Sequence, residues 1–353
     1  APNEIRACCQ RFFRDGKMRG DAKLLSIKDG ATPSIIEIKK AREKLFEEIQ
    51  EDKNEDCKGC IFLKKTKDKP NFTSETKHLS IEHHSVCNLR CDYCSEIYWG
   101  GKRSKYDVVK FVSHLSENGA LENCHQVVWG GGEPTLDKSF EQILEGIHAH
   151  SNPKIYHRVF TNSARYSEPL ARFLEKGLIK ITTSVDAGTE ETFKKVRGRS
   201  KFYEVFENLK KYSLIDPTKV TVKYIFTEDN YSENEIDSFV ENCKKFELNN
   251  CNYQISLNYK NSELEFKILK SIAYLFFRLS QNNITKIFLD DHVMVRFSSL
   301  KKDELKDLSQ YLLLHNADHI ILDPLQIKDL KVYGSGEIAT QIISKTNFFK
   351  TLG

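Results

Sequence analysis

The sequence predicts an α/β fold: a partial (β/α)6 barrel with a small cysteine-rich domain before it and an α/β extension after it. Three observations carry this. Over residues 78–281, short β-branched and aromatic runs alternate six times with amphipathic helical stretches, the pattern of parallel strands joined by crossover helices. Six units are too few for a closed eight-stranded barrel, so an open one is expected. Cysteines gather within residues 8–60 and again within 87–94. Finally, 353 residues with 39% hydrophobic content can bury one barrel-sized core plus small attachments.

Residues 1–77 form the first domain. Pro33 and Ser34 suit the first positions of a helix, and Ile35, Ile38, Leu45, Phe46 and Ile49 give it an apolar stripe. The polar stretch 64–74, with Pro70, reads as a linker. Within residues 78–281, strands are expected at 78–83, 126–129, 155–160, 179–185, 220–226 and 253–257. Helices are expected at 106–118, 140–150, 168–176, 202–212, 233–246 and 263–281. In barrels of this kind, chemistry gathers at the C-terminal ends of the strands.

Residues 282–353 are expected to be the α/β extension. Lys331 to Ala339 reads as a strand followed by a G-x-G-x-x-A turn at Gly334 and Gly336. That is half of a dinucleotide-binding fingerprint, so the extension can be an incomplete Rossmann-like unit; an ordinary strand–helix turn accounts for it equally well.

Lys and Arg total 54 against 50 acidic residues, and the net +4 is scattered, so no nucleic-acid partner is expected. No apolar run reaches the roughly 20 residues that span a bilayer, and no secretory signal is visible. A cytoplasmic protein with no membrane partner is expected, and its thiols would stay reduced. Clustered cysteines then point to metal: seven of the ten lie in groups. Cys124, Cys243 and Cys251 stand apart and are expected to be buried core thiols.

Cys87-Asn-Leu-Arg-Cys91-Asp-Tyr-Cys94 follows the first barrel strand. Three thiolates on one loop can take three corners of a cubane cluster and leave the fourth iron open, as a catalytic site requires. The rival is a zinc site that borrows His83, His84 or Cys124 as fourth ligand. Trp129-Gly-Gly-Gly-Glu-Pro134 follows the second strand. Its glycines let backbone approach a ligand, and Glu133 can accept from an ammonium group.

Together the two motifs resemble the radical S-adenosylmethionine superfamily, with its C-x3-C-x-aromatic-C signature and Gly-Gly-Glu-Pro loop; Tyr93 supplies the aromatic. The resemblance implies a [4Fe–4S] cluster on Cys87, Cys91 and Cys94. It implies S-adenosylmethionine held at Tyr93, Gly131, Gly132, Glu133 and Pro134, with Asn162, Ser184 and Asp186 on the ribose side and Arg197 on the carboxylate. Asp186 can equally belong to the N-cap of the next helix. Of Lys223 and Tyr224, strand alternation lets only one face the barrel interior.

Cys8, Cys9, Cys57 and Cys60 resemble the auxiliary-cluster ligands of twitch and SPASM-type domains, which implies a second iron–sulfur cluster; a structural zinc knuckle is the alternative. The family chemistry implied is reductive cleavage of S-adenosylmethionine to a 5′-deoxyadenosyl radical that takes a substrate hydrogen atom, as in oxidoreductase-type enzymes. A donor such as flavodoxin or ferredoxin would supply the electron. The substrate expected is a sugar, cyclitol or nucleotide-linked sugar. The alternatives are peptide maturation and a non-enzymatic iron–sulfur or zinc binding protein. No catalytic acid or base stands out.

Overall fold

In the computed structural model of the chain, the residues described are 2–8, 11–14, 17–60, 63, 70–95, 99–152, 154–258, 260, 265–284, 286–290, 293, 302–314, 320–321 and 350–351. They sort into two units, residues 1–88 with 95–160, and residues 89–94 with 161–353.

The first unit opens with two antiparallel pairs, β1 (Glu4–Arg6) with β4 (Lys23–Ser26) and β2 (Arg11–Arg14) with β3 (Lys17–Gly20). Helix α1 (Ile35–Gln50) starts where the sequence predicts. The Ser34 side chain accepts from the Glu37 amide, and the Glu37 carboxylate accepts from the Ser34 amide, closing a capping box. Strands β5 (His78–Ile81), β6 (Gln126–Trp129) and β7 (Tyr156–Phe160) pair in parallel. The intervening helices α2 (Val108–Glu117) and α3 (Phe140–Ala149) bury Val112, Leu115, Ile143, Leu144 and Ile147. Beneath this sheet the Trp129 indole N–H donates to His157 Nδ1 at 3.1 Å and its ring packs edge-on to Phe140.

The second unit continues the alternation. In order it has α4 (Glu168–Glu175), β8 (Ile179–Ser184), α5 (Glu190–Arg197), α6 (Phe202–Ile215), β9 (Val220–Phe226), α7 (Glu233–Lys245), β10 (Asn252–Leu257), α8 (Phe266–Gln281), β11 (Ile287–Leu289) and α9 (Lys302–Leu314). Strands β8 to β11 are parallel neighbours in sequence order, as β5 to β7 are in the first unit. A two-residue pair, β12 (Ile320–Ile321) with β13 (Lys350–Thr351), is antiparallel.

The parallel sheet bears out the partial-barrel reading, with one addition. The expected barrel ended at residue 281, yet Ile287–Leu289 adds a further parallel strand along β10. Three residues carry too little periodicity to be read as a strand alone. Helix α5 was also not foreseen; Thr189 caps it through the Thr192 amide, and Gly198 ends it at φ 73°. Asp186 is therefore not its N-cap. The expected turn at Lys331 to Ala339 lies outside the described residues. Cys124, Cys243 and Cys251 are buried core thiols, as expected.

Candidate active site

Within the second unit, the loop carrying Cys91 and Cys94 is sewn to the end of α5. The Arg90 amide donates to Arg197 O at 3.1 Å and the Asp92 amide to Val196 O at 3.0 Å. A Cβ on Gly198 would stand 2.4 Å from Arg90 O, so this crossing needs glycine. Lys260 Nζ donates to Asp92 O at 2.8 Å and Cys94 O at 3.2 Å.

Side chains make the same join. Tyr93 Oη–H donates to Asp186 Oδ2 at 2.6 Å, Arg197 Nη1 donates to the same oxygen at 2.8 Å, and Arg197 Nη1 also meets the Tyr93 hydroxyl. Asp186 is wholly buried and Arg197 nearly so. Burial pushes the Asp186 carboxyl up while Arg197 pulls it down; burial likewise holds the Tyr93 phenol well above its ordinary range. Asp186 sits at φ 61°, two residues past the end of β8, and its Oδ1 accepts from the Ile225 amide at 2.7 Å. The left-handed turn aims its carboxylate sideways at β9 rather than along the chain.

Two further residues, Asn230 and Glu235, brace this turn, and no motif in the sequence pointed to them. Asn230 Nδ2 donates to Asp186 O and Ile225 O, while its carbonyl accepts from the Tyr224 hydroxyl at 2.6 Å. Glu235 accepts from the Gly188 amide at 2.5 Å and the Thr189 amide at 2.9 Å. Gly188 lies so close to α7 that a Cβ would meet Glu235 O at 2.0 Å. Tyr224 is thus a buried brace, and Lys223 is the less buried member of the pair. Ser184 ends β8 and Asn162 follows β7; the Asn162 side chain accepts from the Ala164 amide at 2.9 Å.

In the first unit, Gly131 to Pro134 follow β6. The Gly132 amide donates to His84 O at 2.9 Å and the Glu133 amide to Val86 O at 2.8 Å. Gly131 has φ 87°, and a Cβ on Gly132 would stand 2.3 Å from Val86 O. Only glycine lets this loop lie against the backbone leading to Cys87. Glu133 is 3% exposed and its Oε1 accepts from the Thr135 hydroxyl at 2.7 Å. Of the side chains named as zinc donors, His83 and His84 gather with Asp137, their ligand atoms within 4.8 Å of one another. His83 Nε2 meets Asp137 Oδ2 at 2.8 Å, His84 Nδ1 accepts from the Val86 amide, and Cys124 is a buried thiol.

Of the N-terminal cysteines, Cys9 lies outside the described residues. Cys57 and Cys60 share a turn, with the Cys57 amide on Asn54 Oδ1 at 3.0 Å and the Cys60 amide on Cys57 O at 3.1 Å. Burial pushes the Cys57 thiol up to about 11, and Cys8 and Cys60 act in the same direction, so the three thiols lie within electrostatic range.

A profile of the radical SAM superfamily matches residues 81–241, the stretch that runs from the strand before Cys87 into α7. Residues 81–241 are a radical SAM domain. Among curated proteins, the domain is similar to the GTP 3′,8-cyclase of Actinobacillus succinogenes, 28% identical over 165 residues, which are 46% of this chain and 48% of that one. The GTP 3′,8-cyclase of Yersinia pestis is 27% identical over 172 residues, 48% of this chain and 52% of that one. The chain spans about half the length of these curated relatives.

Among solved structures, Streptococcus suis SuiB bound to precursor peptide SuiA matches with TM-score 0.50 and 13% identity, over 77% of this chain and 68% of that one. SuiB bound to S-adenosylmethionine matches with TM-score 0.51 and 14% identity, over 77% and 60%. At these identities the likeness shows the fold.

The radical SAM domain implies a [4Fe–4S] cluster and S-adenosylmethionine, and the donor set fits them. Three thiols on one short loop leave one iron of a cubane without a protein ligand. The Cys91 thiol is held up by burial, a cost that a bound cation removes by taking the thiolate. No described helix is long and apolar enough to cross a membrane.

Proposed function

We propose that the chain is a radical SAM enzyme that takes a hydrogen atom from a polar small molecule: a sugar, cyclitol or nucleotide-linked sugar. One observation carries the reading: Tyr93, the aromatic of the cysteine signature, is bonded to Asp186 and Arg197 at the end of β8, within a domain of that family. Similarity to proteins named GTP 3′,8-cyclase supports a nucleotide-like substrate.

Cys87, Cys91 and Cys94 would hold a [4Fe–4S] cluster, which would supply the electron for reductive cleavage of S-adenosylmethionine. The chain's own residues bind and orient. Gly131 and Gly132 let the loop lie against the backbone leading to Cys87, which sets Glu133 to accept from the ammonium of the amino acid end, and Pro134 fixes the turn. Arg197 serves the carboxylate while its Nη1 stays on Asp186. Asn162, Ser184 and Asp186 would face the ribose, and Tyr93 ties Asp186 to the cluster loop. Cys8, Cys9, Cys57 and Cys60 hold a second iron–sulfur cluster. A cytoplasmic flavodoxin or ferredoxin delivers the electron.

Anaerobic reconstitution with iron, sulfide, dithionite and S-adenosylmethionine tests this. Chromatography is expected to find 5′-deoxyadenosine and methionine in equal amounts. A protein that holds its cluster yet releases neither overturns the reading.

A further inference from the structure

The parallel register of the second unit separates two faces of its sheet. On one lie Val222, Tyr224, Phe226, Tyr253, Ile255, Leu257 and Leu289, all buried. Phe239 of α7 packs on this face, 4.8 Å from the Tyr224 ring and 6.5 Å from the Tyr253 ring. Because side chains alternate along a strand, the other face carries a different set. Ser184 is level with Lys223, Lys223 with Gln254, and Ile225 with Ser256. Asp290 continues from β11, its amide bonded to Ile255 O at 2.9 Å.

These polar side chains meet. Asp290 Oδ2 accepts from Ser256 Oγ at 2.8 Å and from Gln254 Nε2 at 3.1 Å, and Lys223 Nζ stands 3.7 Å from the same oxygen. Ser256 and Gln254 are buried, while the Lys223 and Asp290 side chains keep 15% and 22% exposure. A carboxylate steered by two buried donors has a set direction, and an ammonium 3.7 Å away is beyond direct hydrogen bonding. The row adjoins the Asp186 station, since the Val185 amide donates to Lys223 O at 2.9 Å.

We propose that this row is a substrate-contact surface, with Asp290 as anchor and Lys223 as its counter-charge, and that it takes a vicinal diol. The inference rests on the enzyme reading above and names its substrate chemistry. An anion brought to Lys223 would meet Asp290, and a cation brought to Asp290 would meet Lys223. An apolar group would desolvate both charges and return no hydrogen bond. Neighbouring hydroxyls satisfy both, because each can donate to the carboxylate and accept from the ammonium. Such a diol comes from a ribose or from a hexose.

The test uses the reconstituted holoenzyme with S-adenosylmethionine bound and three probes: GTP, 2′,3′-dideoxy-GTP and glucose 1-phosphate. Equilibrium dialysis is expected to show binding of GTP, of glucose 1-phosphate or of both, and at least tenfold weaker binding of the dideoxy nucleotide. Asp290→Asn is expected to weaken the diol probe tenfold or more beyond any change in S-adenosylmethionine affinity. Asp290→Glu recovers part of the loss, and Lys223→Gln shows a smaller loss of the same kind. Binding of GTP but not glucose 1-phosphate assigns the diol to ribose, and the reverse assigns it to a hexose. Equal weakening of probe and S-adenosylmethionine in Asp290→Asn, or equal binding of GTP and its dideoxy form, overturns the proposal. A wild-type holoenzyme that releases 5′-deoxyadenosine yet binds no probe overturns the diol assignment alone. One that releases no 5′-deoxyadenosine overturns the enzyme reading instead.

Discussion

The two cysteine groups differ in how they are held: a buried side-chain join fastens one, and bonds to an exposed stretch of backbone fasten the other. Cys91 and Cys94 sit on a loop fastened by backbone bonds to Arg197 and Val196, by the Tyr93–Asp186–Arg197 join, and by Lys260. Cys57 and Cys60 share a turn that closes on Asn54 and is tied to β3 through Glu55 and Asp56, where the Gly20 amide donates to Asp56 O at 2.8 Å and Arg19 Nη1 to Glu55 O at 2.8 Å, and Cys8 is exposed. A loop that must keep one iron open for a ligand needs its shape set by the protein. A set closed by its own thiols can take much of its order from the metal.

The largest effect that would break this contrast is at Cys91. Cys91→Ala is expected to lower 5′-deoxyadenosine release to background while the iron bound by the N-terminal set remains, as read by iron and sulfide analysis. Loss of all iron would mean that the two groups are not independent sites.

Next comes the join itself. Asp186→Ala leaves Arg197 and Tyr93 buried without the carboxylate that both use, and removing one partner of a buried pair costs about 3–5 kcal/mol. Denaturant melts of the reconstituted protein are expected to show a loss of that order, with Asp186→Asn milder. A loss below about 1 kcal/mol would place the pair among solvated surface pairs and undo the account of a preset loop.

The N-terminal set sharpens the contrast from the other side. Cys57→Ser with Cys60→Ser is expected to remove the second set's iron and to lower substrate turnover more than 5′-deoxyadenosine release. Equal losses would tie this set to cleavage itself.

Much of the barrel was legible because strands and helices there carry clean periods: Gln126–Trp129 and Val220–Phe226 begin and end where the pattern says. The cysteine loop and the Gly-Gly-Glu loop were legible as motifs because few residues can do what they do. Asn230, Glu235 and Asp290 were not legible. Each acts through contacts 34 or more residues away in sequence, or through a turn whose left-handed φ at Asp186 is invisible to periodicity. Ile287–Leu289 was missed for a simpler reason: three apolar residues become a strand only because β10 lies beside them.

The smallest effect expected lies beneath the first sheet, far from both groups in sequence. His157 is fully buried, and burial, helped by nearby His148, pushes its imidazole down to about 3. Its Nδ1 accepts the Trp129 N–H, so the folded chain keeps it neutral. The unfolded chain binds that proton near pH 6.5, which means stability is full above pH 6.5 and falls as pH drops toward 3. At about 1.4 kcal/mol per pH unit, the loss between pH 6.5 and 5 is about 2 kcal/mol at most. His157→Gln keeps an acceptor for the Trp129 indole but does not titrate there. Its denaturant midpoint is expected to fall less than that of the wild type over this window. An equal fall in both would assign the acid sensitivity to other groups and leave His157 as packing alone.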